Sequence, residues 1–351
     1  SDIIEIHNRP NYLKFIEKKL NKRNYTLFFH NDPLSMDGSK SVDERKYLLK
    51  ICYRIIFNSN WSKKRFLENV DSHFVHSEKL LICFQSAKKL TTKIIKNKQK
   101  IITFVGKLNR AKGYDIFAKS IIKVLTKNKS WRAKVVGDEK REKININHKS
   151  VDVLGFLEHK KVLKLFQKSS IAIVCSRWNE PFGRTSLEAA ANGCAVIISD
   201  RGGLPETVTN AIILKKLNSL ELTTKINELI KDDRKRKLIQ KLSIENFYLT
   251  HRYVSGLIDD YRMQKIGKIN LFFTKKKILP LRILHITNFN ERLDGRLFFN
   301  TGRRINNGFI RLGHSVLGFS DRDIVKYYKS YSDFSGGASL NDKLKKTCYN
   351  Y

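Results

Sequence analysis

The sequence predicts an α/β protein with two domains of parallel sheet. Short β-branched apolar runs alternate with helical stretches from Ser1 to Met263, and several of the runs end at a glycine, as at Gly106, Gly137 and Gly155. A lysine-rich stretch, Lys88 to Lys100, divides the alternation in two. Strand and helix in alternation imply a parallel sheet with right-handed crossovers. In such a sheet ligands bind at the carboxyl ends of the strands.

In the first part, Ile3 to Ile6 reads as a strand, Tyr12 to Leu20 as a helix and Thr26 to Phe29 as a second strand. A helix over Val42 to Cys52, a strand over Arg54 to Phe57 and a helix over Ser62 to Val70 follow, the last with Ser59 or Asn60 as its cap. Two strands end in histidine, His7 in IHNRP and His30 in FHNDP, which places both at the carboxyl edge of the sheet. The stretch Lys88 to Lys100 is too polar for a core and is expected to be a solvated connector.

The second part opens with the strand Ile101 to Val105 and the turn GKLNRAKG, Gly106 to Gly113, carrying Lys107, Arg110 and Lys112 ahead of a helix over Tyr114 to Leu125. Cations at a strand-end turn suit a diphosphate. Strands follow at Ala133 to Val136 and Val151 to Leu154, then a helix at His159 to Lys168. The centre of the chain is Ser176 to Glu206, SRWNEPFGRTSLEAAANGCAVIISDRGGLPE. It lies after the strand Ile171 to Cys175 and holds the helix Thr185 to Ala191, the strand Cys194 to Ile198 and the turn Gly202-Gly203. Glu180 stands just before that helix and Glu188 inside it. Both carboxylates are then beside a positive helix terminus, where carboxylates accept from sugar hydroxyls and the N–H groups of Gly183, Arg184, Gly202 and Gly203 donate to phosphate. The competing reading is that both glutamates are ordinary acids of a helix N-terminus. Helices near Ser219 to Lys231, Asp233 to Asn246 and Tyr253 to Met263 close this part.

With 69 Lys plus Arg against 33 Asp plus Glu, the chain carries a net charge of +36. That field attracts nucleic acid, anionic membrane or phosphorylated substrates, or else reflects a lysine bias spread over solvated faces. A hydrophobic content of 41% excludes a disordered chain. No apolar run approaches the roughly 18 residues that span a bilayer. The five cysteines are widely spaced and suggest no structural zinc, so they read as buried hydrophobes of a reducing compartment. A chain that opens inside a strand with no leader pattern reads as cut from a longer protein.

Taken together, Glu180-x7-Glu188 with SRWNEPFG and GGLPE, FVGKLNRAKG upstream, FNSNWSKKRF and VDVLGFLEHKKVLKLFQKS resemble the glycosyltransferase group 1 family, the retaining family 4 enzymes of GT-B fold. The resemblance covers about Asp2 to Arg262. It implies two Rossmann-like domains with parallel sheets, the amino-terminal one incomplete: a partial acceptor-side domain over 1–86, a basic linker over 87–100 and a domain over 101–263 that binds a nucleotide-diphosphate sugar. It implies further that Glu180 contacts the donor sugar, Glu188 the ribose, and Lys107 and Lys112 the diphosphate. Gly106, Gly183, Arg184 and Thr185 would complete the donor site, and His7 would lie near the reacting sugar and acceptor. Lys107 stands where relatives usually have Arg and loses the bidentate geometry. Ile82 to Gln85 departs from the relatives' Pro-Asn-Gly turn. No cofactor or metal is implied; the partners are the nucleotide sugar and a glycan or lipid-linked acceptor. The expected place is the cytoplasm, with an anionic membrane face attracting the positive charge.

After a basic linker over 264–280, Leu281 to Thr287 and RLGHSV resemble the opening of a GT-B amino-terminal domain. Either a second, truncated glycosyltransferase begins here, the preferred reading because it needs only fusion, or the chain is permuted and residues 281–351 complete the first sheet. Pairing of residues 281–320 beside the strand at 2–6 is the observation that decides for the second. Asp321-Arg322-Asp323 matches a D-x-D metal motif of another fold, but its place after a strand favours a nucleotide-edge or solvated role. The alternative functions are a nucleic-acid-binding basic protein, which lacks any recognisable nucleic-acid motif, and a non-catalytic GT-B remnant.

Overall fold

The computed structural model describes residues 3–20, 24–74, 77–142, 144–266, 279–289 and 301–351. The chain forms two compact units. One comprises Ser1–Asn58, Ser62–Cys83 and Ser255–Tyr351, the other Ser59–Trp61 and Phe84–Val254. Each holds a six-stranded, wholly parallel sheet.

The first unit runs β1 (Ile3–His7), α1 (Tyr12–Lys19), β2 (Asn24–Phe29), α2 (Val42–Ile51), β3 (Cys52–Phe57), α3 (Asn60–Phe66) and β4 (Leu80–Ile82). Ser41 and Glu44 start α2 with reciprocal side-chain bonds to each other's backbone, which satisfies two donors that a helix start leaves unpaired. The second unit follows with β5 (Gln99–Val105), α4 (Tyr114–Lys127), β6 (Arg132–Val136), β7 (Val151–Val153), α5 (His159–Lys168), β8 (Ser169–Val174), α6 (Arg184–Ala191), β9 (Ala195–Ser199) and β10 (Ile212–Leu214). After α7 (Ser219–Lys231) and α8 (Asp233–Glu245), α9 (His251–Ile266) carries the chain back to the first unit. There β11 (Arg282–Thr287), α10 (Thr301–Arg311), β12 (Ser315–Ser320), α11 (Asp321–Tyr327) and α12 (Gly337–Asn350) complete it.

The strand order of the first sheet is β12-β11-β1-β2-β3-β4. β11 lies parallel to β1, Ile6 opposite Ile286, and β12 lies parallel to β11. The structure thereby corrects the preferred reading of residues 281–351 as the start of a separate domain, because these residues complete the first sheet. The physical reason is the edge of β1. An unpaired row of N–H and C=O groups is satisfied by a strand–helix–strand segment of the matching pattern. Ile286, Phe319, Leu340 and Leu344 join Ile6, Leu13, Leu27 and Phe29 in one buried cluster. Burial of each such side chain stabilises by about 1.5–3 kcal/mol. Below the apolar layer, Arg262 of α9 reaches both carboxylate oxygens of Glu5 at 2.8 Å and Asp259 at 2.7 Å.

In the second sheet the order is β10-β9-β8-β5-β6-β7. Ile102, Phe104, Ile171, Ile173, Ala195 and Ile197 face α4 and α7 through Phe117, Ile121, Leu222 and Ile226. On the other side Val136, Ala172, Val196 and Ile198 pack with Val162 and Phe166 of α5 and Ala189 and Ala190 of α6.

The expected connector is also corrected. Thr92–Asn97 is a 3-10 turn, and residues 88–100 belong to the second unit. Lys98 is half-buried there and donates at 2.7 Å to the carbonyls of Phe166 and Asn192, near the ends of α5 and α6. A lysine count reads these residues as solvated, yet one lysine satisfies two helix-end carbonyls. The helix expected at Ser62 to Val70 runs from Asn60 to Phe66, and the short strands β4 and β10 were not foreseen.

Candidate functional site

The carboxyl ends of β5 and β8 and the start of α6 enclose about 390 Å³ of empty space, the open mouth included. Gly106, Lys112, Ser176, Glu180, Gly183, Arg184 and Thr185 are among the residues that line it. Lys112 and Glu180 form an ion pair across the pocket. Gly183 is the cap residue of α6 and has no side chain to bond the first-turn N–H groups, and Arg184 and Thr185 of that turn line the pocket at the positive end of the helix dipole.

Two glycines make this geometry possible. A Cβ on Gly113 would lie 1.8 Å from the Cys175 carbonyl oxygen, and Gly113 has φ +72°, so the β5–α4 turn touches the end of β8 only as glycine. Gly183, at φ +105°, sits where a Cβ would meet Leu204 at 2.5 Å. The two loops are then tied together. The N–H groups of Arg177 and Trp178 donate to the Ala111 carbonyl at 2.9 and 3.0 Å, and Ser176 Oγ donates to it at 3.1 Å. The Arg177 guanidinium grips Asp115 at 2.5 and 2.8 Å and donates to the Arg110 carbonyl at 2.8 Å. A third loop joins through Asn109, which donates to Glu139 at 3.0 Å. Arg177 and Asp115 were not singled out from sequence; the one available signal was the place of Arg177 inside SRWNEPFG.

Glu188 lies beside the pocket rather than among its lining residues. It is buried, with Arg184 donating at 2.6 Å and His159 Nε2 lying 3.0 Å from the same carboxylate oxygen. Burial opposes its ionisation, but His159 and Arg184 outweigh that and hold the carboxyl below the usual range. His159, at the start of α5, is a neighbour the sequence reading missed.

Lys107 is exposed and outside the lining residues. The expectation that Gly203 donates to phosphate is corrected, since its N–H goes to the Glu180 carbonyl at 2.6 Å. The pocket thus keeps Lys112, Glu180 and the α6 terminus.

In the first unit, His7 is buried at the end of β1, its Nδ1 3.0 Å from His30 Nε2, its ring stacked on Phe28 and edge-on to His285. Desolvation is the main reason that all three histidines titrate low, and His285 adds repulsion at His7 and His30. His30 and His285 fall to about 4 and His7 moves well below its ordinary value. Asp321 and Asp323 are buried rather than solvated, Asp321 paired with Arg9 at 2.7 Å and Asp323 bonded to Ser320 at 2.5 Å. Among the described residues no group of three or more His, Cys, Asp or Glu is placed to hold a metal ion, and no helix is long and apolar enough to cross a membrane.

Two parallel sheets of Rossmann-like order, the second with a pocket at its strand ends, define a GT-B type α/β class, and comparison with known proteins agrees. Residues 87–244 match the family described as Glycosyl transferases group 1. Spore coat protein SA of Bacillus subtilis is 24% identical over 297 residues, 75% of this chain and 79% of that protein. The lipopolysaccharide core biosynthesis mannosyltransferase LpcC of Rhizobium leguminosarum is 30% identical over 112 residues, 29% of this chain and 32% of that one. Among solved structures, Anabaena Alr3699/HepE in complex with UDP has a TM-score of 0.64 at 18% identity, with 75% of this chain and 79% of that one covered. A glycosyltransferase from Rickettsia africae has a TM-score of 0.60 at 18% identity over 76% and 77% of the two chains. The two sheets are Rossmann-like and of GT-B type, and the matched second unit supports a glycosyltransferase.

Proposed function

We propose that the protein transfers a hexosyl group from a nucleoside diphosphate sugar to a glycan or lipid-linked acceptor, with retention of anomeric configuration. The observation that carries this reading is the pocket itself, where Lys112, Glu180 and the uncapped start of α6 surround one space. Lys112 and the helix terminus meet the diphosphate, and Glu180 accepts from the sugar hydroxyls. As the anomeric carbon bonds to the acceptor oxygen, its bond to the diphosphate breaks, the acceptor hydroxyl gives its proton to the departing diphosphate oxygen, and Lys112 with the helix dipole carries the charge that gathers on the leaving group without a metal ion. Glu188 is assigned to the ribose, and His7 to the acceptor side.

The relatives support this reading by their names, a mannosyltransferase of lipopolysaccharide core among them, and HepE was solved with UDP. The net charge of +36 supports attachment to an anionic membrane face. Titration with UDP-glucose, GDP-mannose and ADP-glucose tests the reading. One of them binds, and both Lys112→Ala and Glu180→Ala weaken its use. Binding of none overturns the reading.

A further inference from the structure

We propose that the ion pair between Lys112 and Glu180 is a selectivity element, which makes the pocket favour a nucleoside diphosphate sugar over the bare nucleoside diphosphate left after transfer. The proposal rests on the donor-site reading above and adds to it the exchange that binding requires. Lys112 and Glu180 both line the pocket and are bonded to each other. A diphosphate that approaches the Lys112 ammonium competes with Glu180 for it and brings its own negative charge beside that carboxylate.

The backbones on both sides are fixed. Lys112 N–H donates to Asn109 Oδ1 at 3.0 Å, and the neighbouring Ala111 carbonyl accepts from three groups of the loop 176–178. The Glu180 carbonyl accepts from Gly203 N–H. With both ends anchored, the pair parts by rotation of the two side chains and not by loop movement. Once parted, Glu180 has lost its cation at a side chain only 14% exposed. Arg177 and Arg184, the arginines flanking Glu180 in sequence, are already held by Asp115 and Glu188. A partly buried carboxylate without a donor is costly.

A sugar with adjacent hydroxyls removes that cost by donating to the carboxylate. The complete donor therefore exchanges one ion pair for two satisfied partners, whereas the bare diphosphate satisfies Lys112 and strands Glu180. The consequence is weaker retention of the product nucleotide.

Calorimetric titration of the full chain with UDP, GDP, ADP and their glucose or mannose conjugates tests this, comparing wild type with Glu180→Gln. The variant is expected to bind the bare nucleoside diphosphate about 1.5- to fivefold tighter, the range for releasing a partly exposed ion pair, and to bind the sugar conjugate more weakly. Lys112→Met is expected to weaken both together. Glu180→Ala gives the same direction for the bare nucleotide and serves if the glutamine variant does not fold. Bare-nucleotide affinity that is unchanged or lower in Glu180→Gln, with the sugar conjugate still bound by wild type, overturns the proposal and leaves the donor reading standing. Wild type that binds neither form overturns both.

Discussion

Arg177 holds the Asp115 carboxylate with both branches of its guanidinium, at 2.5 and 2.8 Å, and so fixes the loop that leads to Glu180 against the first turn of α4. The pair lies outside the pocket lining and acts on it through Ala111 and Arg110. Side chains of 41% and 22% exposure limit its value for stability, so its consequence is in positioning.

Arg177→Ala is expected to raise the donor KM by about tenfold while kcat falls less, because Lys112 and Glu180 remain but their spacing loosens. Arg177→Lys restores little, since an ammonium does not reproduce the bidentate grip. Steady-state kinetics with the donor identified by titration check this; equal kcat and KM for both variants and wild type refute the positioning role.

Gly113→Ala and Gly155→Ala form a controlled pair. Both glycines have positive φ, but a Cβ at Gly155 meets nothing within 4 Å, whereas one at Gly113 strikes the Cys175 backbone. Urea unfolding is expected to show a loss of about 1 kcal/mol at Gly155 from backbone strain alone and of more than about 3 kcal/mol at Gly113. Equal losses would mean that the two loops are not in the close contact described.

The histidine cluster predicts a pH dependence whose sign is fixed. His30 and His285 titrate at about 4 in the folded chain, against 6.5 as the ordinary value, so between those limits the unfolded chain binds more protons. Stability is therefore full above about pH 6.5 and is lost as the pH falls toward 4. The protons belong to the cluster as a whole. Urea midpoints between pH 7.5 and 4.5 are expected to fall less steeply in His285→Asn than in wild type; parallel curves remove the cluster from the explanation.

Ile286→Ala probes the completed sheet. Ile286 is wholly buried opposite Ile6, and its truncation is expected to cost about 2–5 kcal/mol. Slower amide exchange in β1 of wild type than of the variant would locate the loss in the first sheet. A variant as stable as wild type would return residues 281–351 to a separate existence.

Much of the architecture was legible in the chain because its signals are local. Ile171 to Val174 and Cys194 to Ile198 are too short and too β-branched for helices, and Gly183 can follow a strand and start a helix where other residues are strained. The pairing of Lys98 with the ends of α5 and α6 was not legible, since a lysine among six lysines carries no mark of burial. Nor was the grip of Arg177 on Asp115, 62 residues apart in sequence.

By itself the sequence determined two parallel α/β sheets, the glycine turns at their strand ends and the glutamates beside them, since periodicity and backbone freedom are properties of neighbouring residues. Only the tertiary structure decided which groups remain available. It paired Lys112 with Glu180, drew Glu188 toward Arg184 and His159, turned Gly203 inward and placed β11 against β1. Hydrogen bonds and ion pairs between distant segments depend on which segments hydrophobic burial brings together, and that burial gives a residue its partner.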